Sequence, residues 1–224
     1  MLENLLKTDF LEIINSASVR RGDAPKWTVT PQVRIEDIAD HTFDVDDSKN
    51  DTTTIKRSFG QGTASYVNGD SDSPYHLRFV CYDEYMHQFV FDDGNGHLDK
   101  SMFKQHKSMA DFIVYDTSEK RVWIIIHELS TGNINNKRGK ARAQLTYTLD
   151  LLCRSESIKK FIKNIPNKWC VLSARDNRKL QTPNGIADAF MNAYNILPEP
   201  TKFQFGAMTR LGFTGWETSK VILG

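Results

Sequence analysis

Two apolar runs of the chain are joined by a short charged turn, and together they predict a β-hairpin. Residues 112–115 and 122–126 are rich in β-branched and aromatic side chains and are bounded by polar residues, which is typical of strands. The second run is apolar without alternation, a pattern that favours a strand buried on both faces. We therefore expect an antiparallel strand pair at the centre of the fold.

Acidic residues lie at one end of this predicted hairpin. Asp111 precedes the first strand and Glu128 follows the apolar part of the second. Because the start of one antiparallel strand lies beside the end of its partner, we expect the two carboxylates to meet at one edge of a buried sheet. Paired carboxylate oxygens suit a hard cation such as Mg²⁺. The alternative, in which both are ordinary strand-end acids that pair with Lys or Arg, stays open.

A long helix is predicted after the hairpin. Apolar side chains recur at helical spacing between about residues 136 and 154, and they form one stripe. A second face carries polar side chains at steps of three, four and three residues, which project together. The stripe consists of Ala141, Leu145, Thr148, Leu149 and Leu152, and the polar face consists of Lys137, Lys140, Gln144 and Tyr147.

Further core elements are predicted downstream of this helix. Ser155 is placed to cap a short helix over 156–164, which carries Lys159, Lys160 and Lys163. Residues 168–173 indicate another buried strand, and the order strand, helix, strand favours a right-handed crossover with a parallel strand pair. The remaining predictions in this half are a helix at 183–194 and edge strands near 203–205 and 221–223.

The N-terminal third of the chain has weaker patterns. Apolar residues at helical spacing predict a helix over 2–18. Residues 27–30 indicate a short strand and residues 33–38 another element, and residues 40–51 are interpreted as a solvated acidic loop. Residues 58–63 are rich in glycine but lack the Lys-Ser/Thr of a phosphate-binding loop, so a flexible turn is expected there.

Two strands are predicted between this region and the hairpin, at 75–82 and 87–91. We expect a domain division at the first of them. Residues 1–74 are interpreted as an N-terminal helix with an irregular acidic region, packed on a core formed by residues 75–224.

Composition limits the class of protein. A chain of 224 residues with 39% hydrophobic residues can form a substantial core, and it has no run of 18 apolar residues that could span a membrane. The N-terminus lacks the pattern of a signal peptide. Three scattered cysteines show no metal-binding spacing. These features predict a reduced, cytoplasmic protein.

The charge is unevenly distributed along the chain. Residues 1–99 contain nine basic and eighteen acidic residues, whereas residues 100–224 contain twenty and ten. A basic surface near a metal site favours a polyanionic substrate. Mutual neutralisation of two halves of one fold is the alternative.

The order of these features over residues 75–175 resembles the PD-(D/E)XK nuclease superfamily. Ala110-Asp111 stands where its motif has Pro-Asp, and Glu128-Leu129-Ser130 stands where it has Asp/Glu-X-Lys. The resemblance implies an α/β fold with a restriction-endonuclease-like mixed central sheet flanked by helices, here with an N-terminal α+β extension. Ser130 departs from the pattern because serine cannot supply the positive charge of the family lysine.

The resemblance also implies a site and a cofactor. Asp111, Glu128 and the backbone carbonyl of Leu129 would hold Mg²⁺ or Mn²⁺. Because some members of the family recruit their lysine from the following helix, Lys140 is the first candidate for the catalytic cation and Lys137 the second. The expected nucleic-acid contacts are Lys137, Arg138, Arg142, Gln144, Tyr147, Lys159, Lys160 and Lys163.

Two functions therefore remain open from the sequence. The first is a Mg²⁺-dependent nuclease that acts on nucleic acid, with DNA favoured, in a setting such as restriction or phage defence. The second, which Ser130 favours, is a catalytically inactive relative that binds nucleic acid or a partner protein. A homodimer is compatible with either function. His127 is expected to be a packed histidine, since its surroundings lack the second histidine of a zinc protease.

A third hypothesis is that the acidic N-terminal half covers the basic half as an autoinhibitory or DNA-mimicking surface.

Overall fold

The computed structural model describes most of the chain. The described residues are 1–46, 55–56, 59–60, 62–92, 98–99, 102–104, 108–131, 134–175 and 200–224. The helices are α1 (Leu2–Lys7), α2 (Asp9–Ile14), α3 (Tyr82–Met86), α4 (Ile134–Leu152), α5 (Glu156–Lys163) and α6 (Gly206–Leu211). The strands are β1 (Ile35–Ile38), β2 (Thr42–Val45), β3 (Ile55–Lys56), β4 (Ala64–Asn68), β5 (Leu77–Cys81), β6 (Phe91–Asp92), β7 (Leu98–Asp99), β8 (Phe112–Asp116), β9 (Trp123–Thr131), β10 (Asn167–Arg175), β11 (Thr201–Phe203), β12 (Thr214–Glu217) and β13 (Lys220–Leu223).

The central feature is a mixed sheet in the order β1-β5-β8-β9-β10-β12-β11. β8 and β9 form the antiparallel hairpin that the sequence predicted. β9 and β10 run parallel, as expected for strands joined by a helical crossover. Ile124, Ile125 and Ile126 are fully buried, which confirms that the second apolar run is covered on both faces.

The sheet separates two hydrophobic layers. Alternate residues of a strand point to opposite faces, so Ile124 and Ile126 pack with the helices, whereas Ile125 packs against a second sheet. That second sheet has the order β13-β4-β2-β3. The long α4, predicted from its apolar stripe, lies on the first face, with Ala141 and Leu145 buried in that layer.

The N-terminal region differs from the expectations in several places. The helix predicted over 2–18 is two short helices separated at Thr8, whose backbone angles (φ −121°, ψ −91°) are not helical. No strand forms at residues 27–30. There the backbone of Trp27 is satisfied by a side chain, since its N–H donates to Asn15 Oδ1 at 2.7 Å and its carbonyl accepts from Asn15 Nδ2 at 2.8 Å.

The acidic segment at 40–51 is not a solvated loop over its described part. β2 lies within it, and Asp44 is fully buried. The Asp44 carboxylate accepts hydrogen bonds from the backbone N–H groups of Gly60 and Gly62 and from the Ser65 hydroxyl. A buried carboxylate is costly unless it is hydrogen-bonded. Gly60 and Gly62 therefore form a cradle of backbone N–H groups that stabilises the buried Asp44.

Other differences occur around β5. The predicted strand at 75–82 is shorter, and α3 follows β5 directly at Tyr82. A strand over 87–91 is wrong, because residues 87–90 are turn and coil and β6 begins only at Phe91. The sequence also missed β12 and α6. The helix predicted at 183–194 lies outside the described residues.

The predicted division at residue 74 does not separate two sheets. β1 pairs with β5 across that point, and β13 pairs in parallel with β4. The described residues between 35 and 68 include four strands, and apolar side chains of β2 and β4 complete the layer behind the central sheet.

No helix in the described part of the chain combines the length and the apolar character needed to cross a membrane.

Candidate active site

The two acids lie side by side where the central hairpin opens. β8 and β9 pair Ile113 with Ile126 and Phe112 with His127, so the same register places Asp111 opposite Glu128. The Leu129 N–H donates to Asp111 Oδ2 at 2.6 Å. Glu128 is only 6% exposed and Asp111 is half-buried. The structure therefore brings these two carboxylates together at the edge of a buried strand pair.

Glu128 faces the helical layer. It pairs across β10 with Leu172, which packs beneath the helices, and directly paired residues of neighbouring strands share a face. His127 and Leu129 point to the opposite side. The carboxylate of Glu128 consequently lies on the same side of the sheet as α4, where the candidate lysine was expected.

The donors at this junction fit a magnesium ion. In a strand, the N–H and C=O groups of one residue point to the same edge, so the Leu129 carbonyl faces the side on which its N–H meets Asp111. Two carboxylates and one carbonyl match the few protein ligands that Mg²⁺ takes alongside its waters. Among the described residues, no group of three or more His, Cys, Asp or Glu side chains could hold a metal.

Ser130 lies on the strand rather than at a charged centre. It is 6% exposed and pairs with Ala174 of β10. The position that the resemblance aligns with a lysine is thus a buried hydroxyl, so Ser130 itself supplies no positive charge to this site.

Lys137 and Lys140 are both exposed on the first turns of α4. Lys140 precedes Gln144 by one turn, and Lys137 precedes it by two. Gln144 itself contacts the segment before Asp111, because its Nε2 donates to the Met109 carbonyl at 2.8 Å. The edge of α4 that carries both lysines is therefore the edge turned towards Asp111.

Gln144 and Tyr147, which were expected to contact nucleic acid, are part of the packing of α4. Gln144 is half-buried through its bond to Met109. Tyr147 packs against the helical layer, and burial raises the pKa of its hydroxyl. Both residues stabilise the position of the helix, whatever else they contact.

Arg138 and Arg142 lie on the opposite edge of α4 and share one carboxylate. Nε and Nη2 of Arg138 donate to Glu217 at 2.8 to 3.0 Å, and Nη2 of Arg142 donates to it at 3.0 Å. Arg142 also lies over the ring of Phe203, 4.7 Å from its centroid. Although burial opposes it, pairing with the arginines lowers the pKa of Glu217.

Glu217 is the residue at this site that the sequence did not indicate. It pairs with Leu172 of β10, which also pairs with Glu128. Since neighbouring strands lie about 4.8 Å apart, the backbones of Glu128 and Glu217 are about 10 Å apart in one row of the sheet. No strand pattern in the sequence marked Glu217, because Gly215 interrupts the apolar pattern of β12, the strand to which Glu217 belongs.

The lysines of α5 are not at this site. Because β9 and β10 are parallel, α4 returns from the carboxyl end of one to the amino end of the other, a length of about 28 Å for its 19 residues. α5 follows there, with its N-terminus capped by Ser155 as predicted. Lys160 and Lys163 are exposed and Lys159 pairs with Glu156, all at the far end of the sheet.

His127 is buried between the two sheets, as the sequence predicted. Its Nδ1 lies 2.7 Å from the Tyr66 hydroxyl and its Nε2 lies 2.8 Å from the Ser173 hydroxyl. Burial lowers its pKa from 6.5 to about 3. A neutral imidazole with both nitrogens occupied joins β4 to β9 and β10 and has no access to the acid pair's side of the sheet.

Comparisons of the chain with protein-family models, with curated proteins and with solved structures return no match.

Proposed function

We propose that the protein is a metal-dependent nuclease that hydrolyses phosphodiester bonds in nucleic acid, with DNA as the favoured substrate. The observation that carries this proposal is the junction of Asp111 with Glu128 and Leu129 where a buried hairpin opens. A buried carboxylate and a half-buried one, beside a helix with exposed lysines, form an arrangement suited to a cation and a polyanion together.

The order of elements supports a restriction-endonuclease-like core as part of the proposal. N-terminal helices precede the sheet, β5, β8 and β9 form an antiparallel series, and α4 leads to the parallel β10. This is the helix, mixed sheet and crossover helix that the resemblance implies. The remaining strands extend the sheet or form the layer behind it.

The roles of the residues follow from their positions. Asp111, Glu128 and the Leu129 carbonyl would hold Mg²⁺ or Mn²⁺, and Ser130 cannot contribute a charge. When bound, the ion lowers the pKa of a coordinated water and stabilises negative charge on the phosphate. Lys140 supplies the nearby positive charge, with Lys137 as the second candidate, because both lie on the α4 edge that faces Asp111.

Arg138 and Arg142 fit a role in holding the flanking phosphates. Their pairing with Glu217 fixes their positions in advance, and Arg138 keeps 39% of its side chain exposed. An arginine that is already oriented loses little conformational entropy when it binds a phosphate. Such contacts position nucleic acid without reading its sequence.

The second candidate function is a nucleic-acid-binding or protein-binding relative without catalysis. Ser130 is the observation that favours it, since no charge stands at the family's lysine position. A setting in restriction or phage defence remains a prediction that follows from the resemblance alone.

Cleavage of linear, circular and single-stranded DNA and of RNA tests the proposal. The protein is assayed with Mg²⁺ or Mn²⁺ and with EDTA, beside Asp111→Asn, Glu128→Gln and Lys140→Ala. We expect cleavage to need the metal and each acid, and to fall at least about a hundredfold in the lysine variant, the scale typical of losing a catalytic charge. Glu119→Gln and Lys120→Ala are matched controls, since both lie in the hairpin turn at the opposite end.

The outcomes separate the two candidates. Cleavage that survives Lys140→Ala but not Lys137→Ala assigns the cation to Lys137. Absence of cleavage on every substrate, combined with metal-independent binding of nucleic acid, contradicts the nuclease and leaves the binding protein.

A further inference from the structure

Two side chains of α4 hold the dipeptide that precedes Asp111. Gln144 Nε2 donates to the Met109 carbonyl at 2.8 Å, and the Ala110 N–H donates to Thr148 Oγ1 at 2.9 Å. Thr148 and Ala110 are fully buried, and Met109 is 3% exposed. Gln144 and Thr148 are one helical turn apart, so from a single edge of the helix they bind the carbonyl and the N–H of the same peptide unit.

These two hydrogen bonds hold the backbone just before Asp111 in place of strand pairing. β8 begins at Phe112, and residues 108–110 are not part of a strand. The sheet therefore does not set the backbone immediately before Asp111. The Asp111 carbonyl accepts a hydrogen bond from the Tyr82 N–H at 2.8 Å. This bond restrains Asp111 itself, and α4 restrains the peptide unit that precedes it.

The position of this backbone also determines where the Asp111 carboxylate lies. The bond from the Leu129 N–H to Asp111 Oδ2 is 2.6 Å long, so a small displacement of the preceding backbone removes it. A displacement of about 1 Å at a catalytic group is enough to lower a rate a hundredfold. The anchoring of Met109 and Ala110 is thus placed to control the distance between Asp111 and Glu128.

We propose that Gln144 and Thr148 are positioning residues, which fix Asp111 beside Glu128 by anchoring the Met109–Ala110 peptide unit to α4. Lys140 lies one turn before Gln144 on the same edge. One rigid helix would then set the candidate cation and the first acid together. The structural part of this inference stands on the contacts above, and only its catalytic consequence rests on the proposed function.

Hydrogen exchange of the Leu129 amide measures the position of Asp111 directly. We expect Gln144→Ala combined with Thr148→Val to accelerate exchange at Leu129 by about tenfold, the factor expected for loss of one hydrogen bond of typical net strength. Exchange at Ile125, in the paired part of β9, should stay unchanged. Asp111→Ala should accelerate Leu129 in the same way.

Matched variants separate positioning from general destabilisation. Thr148→Ser keeps the hydroxyl and should restore slow exchange at Leu129. Thr146→Ala is the control on the same helix, because its hydroxyl donates to the Arg142 carbonyl within α4 and does not reach Met109 or Ala110. If the double variant unfolds, the single variant Gln144→Ala supplies the measurement, because Gln144 is only half-buried.

Titration of Mn²⁺ into the metal-free protein gives the second readout. We expect the double variant to bind Mn²⁺ about tenfold more weakly, a loss within the range seen when supporting residues of a metal site are removed, and Thr148→Ser to bind as the wild type does. If the Leu129 amide of the double variant exchanges at the same rate as in the wild type, the inference is overturned, whatever the cleavage result. A wild-type protein that binds Mn²⁺ and cleaves nothing contradicts the nuclease, and the exchange rates still decide the positioning.

Discussion

Glu3 connects the first helix to the central sheet through a charged hydrogen-bond cluster. The Tyr115 hydroxyl donates to Glu3 Oε2 at 2.6 Å, and Arg78 Nη1 donates to Glu3 Oε1 at 2.7 Å. Burial alone would raise the pKa of Glu3. The hydrogen bonds from Tyr115 and the N-terminal ammonium outweigh burial and lower the pKa from 4.5 to about 2.

This shift predicts how stability depends on pH. A carboxylate with a lowered pKa in the folded state stabilises the fold above its unfolded value of 4.5, and the contribution is lost as the pH falls towards 2. We expect Glu3→Gln to lower the free energy of unfolding near neutral pH by about 1.5 to 3 kcal/mol, the range for hydrogen bonds to a charged group. Urea unfolding of both proteins across the acidic range checks this.

The difference between wild type and Glu3→Gln should shrink between pH 4.5 and 2. Glu156→Gln is the control, since Glu156 pairs with Lys159 on the surface and is 83% exposed; it should cause no measurable change. A difference that stays constant down to the lowest pH contradicts the assignment.

At the same scale, the sequence indicated some functional positions and not others. Asp111 and Glu128 could be found because each follows or precedes a strongly apolar run, and a hairpin then determines their proximity. Asp44 was misread as a loop residue, since a buried carboxylate depends on the backbone N–H groups of Gly60 and Gly62, which a linear pattern does not show. Glu217 was missed for a similar reason, because its partners lie some 75 to 79 residues earlier in the chain.

At the scale of elements, the sequence indicated those whose pattern is repeated many times. The hairpin, α4, α5 and β10 carry long apolar runs or a full helical stripe. β12 has no such pattern, and pairing makes it a strand, with β10 on one side and β11 on the other. A Cβ at Gly215 would lie 2.4 Å from the Phe203 carbonyl oxygen, so the glycine that weakened the pattern is what lets the edge strand approach.

Gly62 and Gly139 differ in the space that surrounds them. A Cβ at Gly62 would lie 2.8 Å from Asp44 Cβ and 2.9 Å from the Val45 carbonyl oxygen, whereas one at Gly139 would meet nothing within 4 Å. We expect Gly62→Ala to lower the free energy of unfolding by about 1 to 3 kcal/mol through overpacking. Gly139→Ala should raise it by about 0.5 to 1 kcal/mol, because alanine favours the helical backbone.

Urea unfolding of the two alanine variants beside the wild type measures both effects. Opposite signs support the cradle around Asp44, since the substitution is chemically the same at both sites. Equal stability of Gly62→Ala and the wild type would show that Gly60 and Gly62 do not close over Asp44.

At the scale of the whole molecule, the acidic half packs on both faces of the central sheet, and only β2 and β4 lie on the face opposite the basic helix α4. β2 and β4 pack behind the sheet through Phe43 and Tyr66, whereas α4 packs in front. This placement argues against an autoinhibitory cover by β2 and β4 over Lys137 and Lys140. It also means that residues 1–74 complete the core rather than decorate it.

The deletion of residues 1–74 is therefore a test of the whole architecture. Phe43 and Tyr66 stack at 4.9 Å and contact Phe79 of β5 edge-on, and the Tyr66 hydroxyl lies 2.7 Å from His127 Nδ1. Without β4, the described part of the chain offers β13 no strand partner. We expect the fragment 75–224 to lack a cooperative unfolding transition, because it loses the buried aromatic layer behind the central sheet.

Co-expression of residues 1–74 with 75–224 is the matched experiment, since it restores every strand without the covalent link. We expect the two pieces to copurify and to unfold cooperatively, as the paired edges of β1 with β5 and of β13 with β4 draw them together. If the fragment 75–224 alone unfolds cooperatively with dispersed amide resonances, the layer behind the sheet is dispensable and the division at residue 74 is a true domain boundary. The catalytic assays could then be repeated on that fragment, where any gain in nucleic-acid binding would revive the autoinhibitory role of the acidic half.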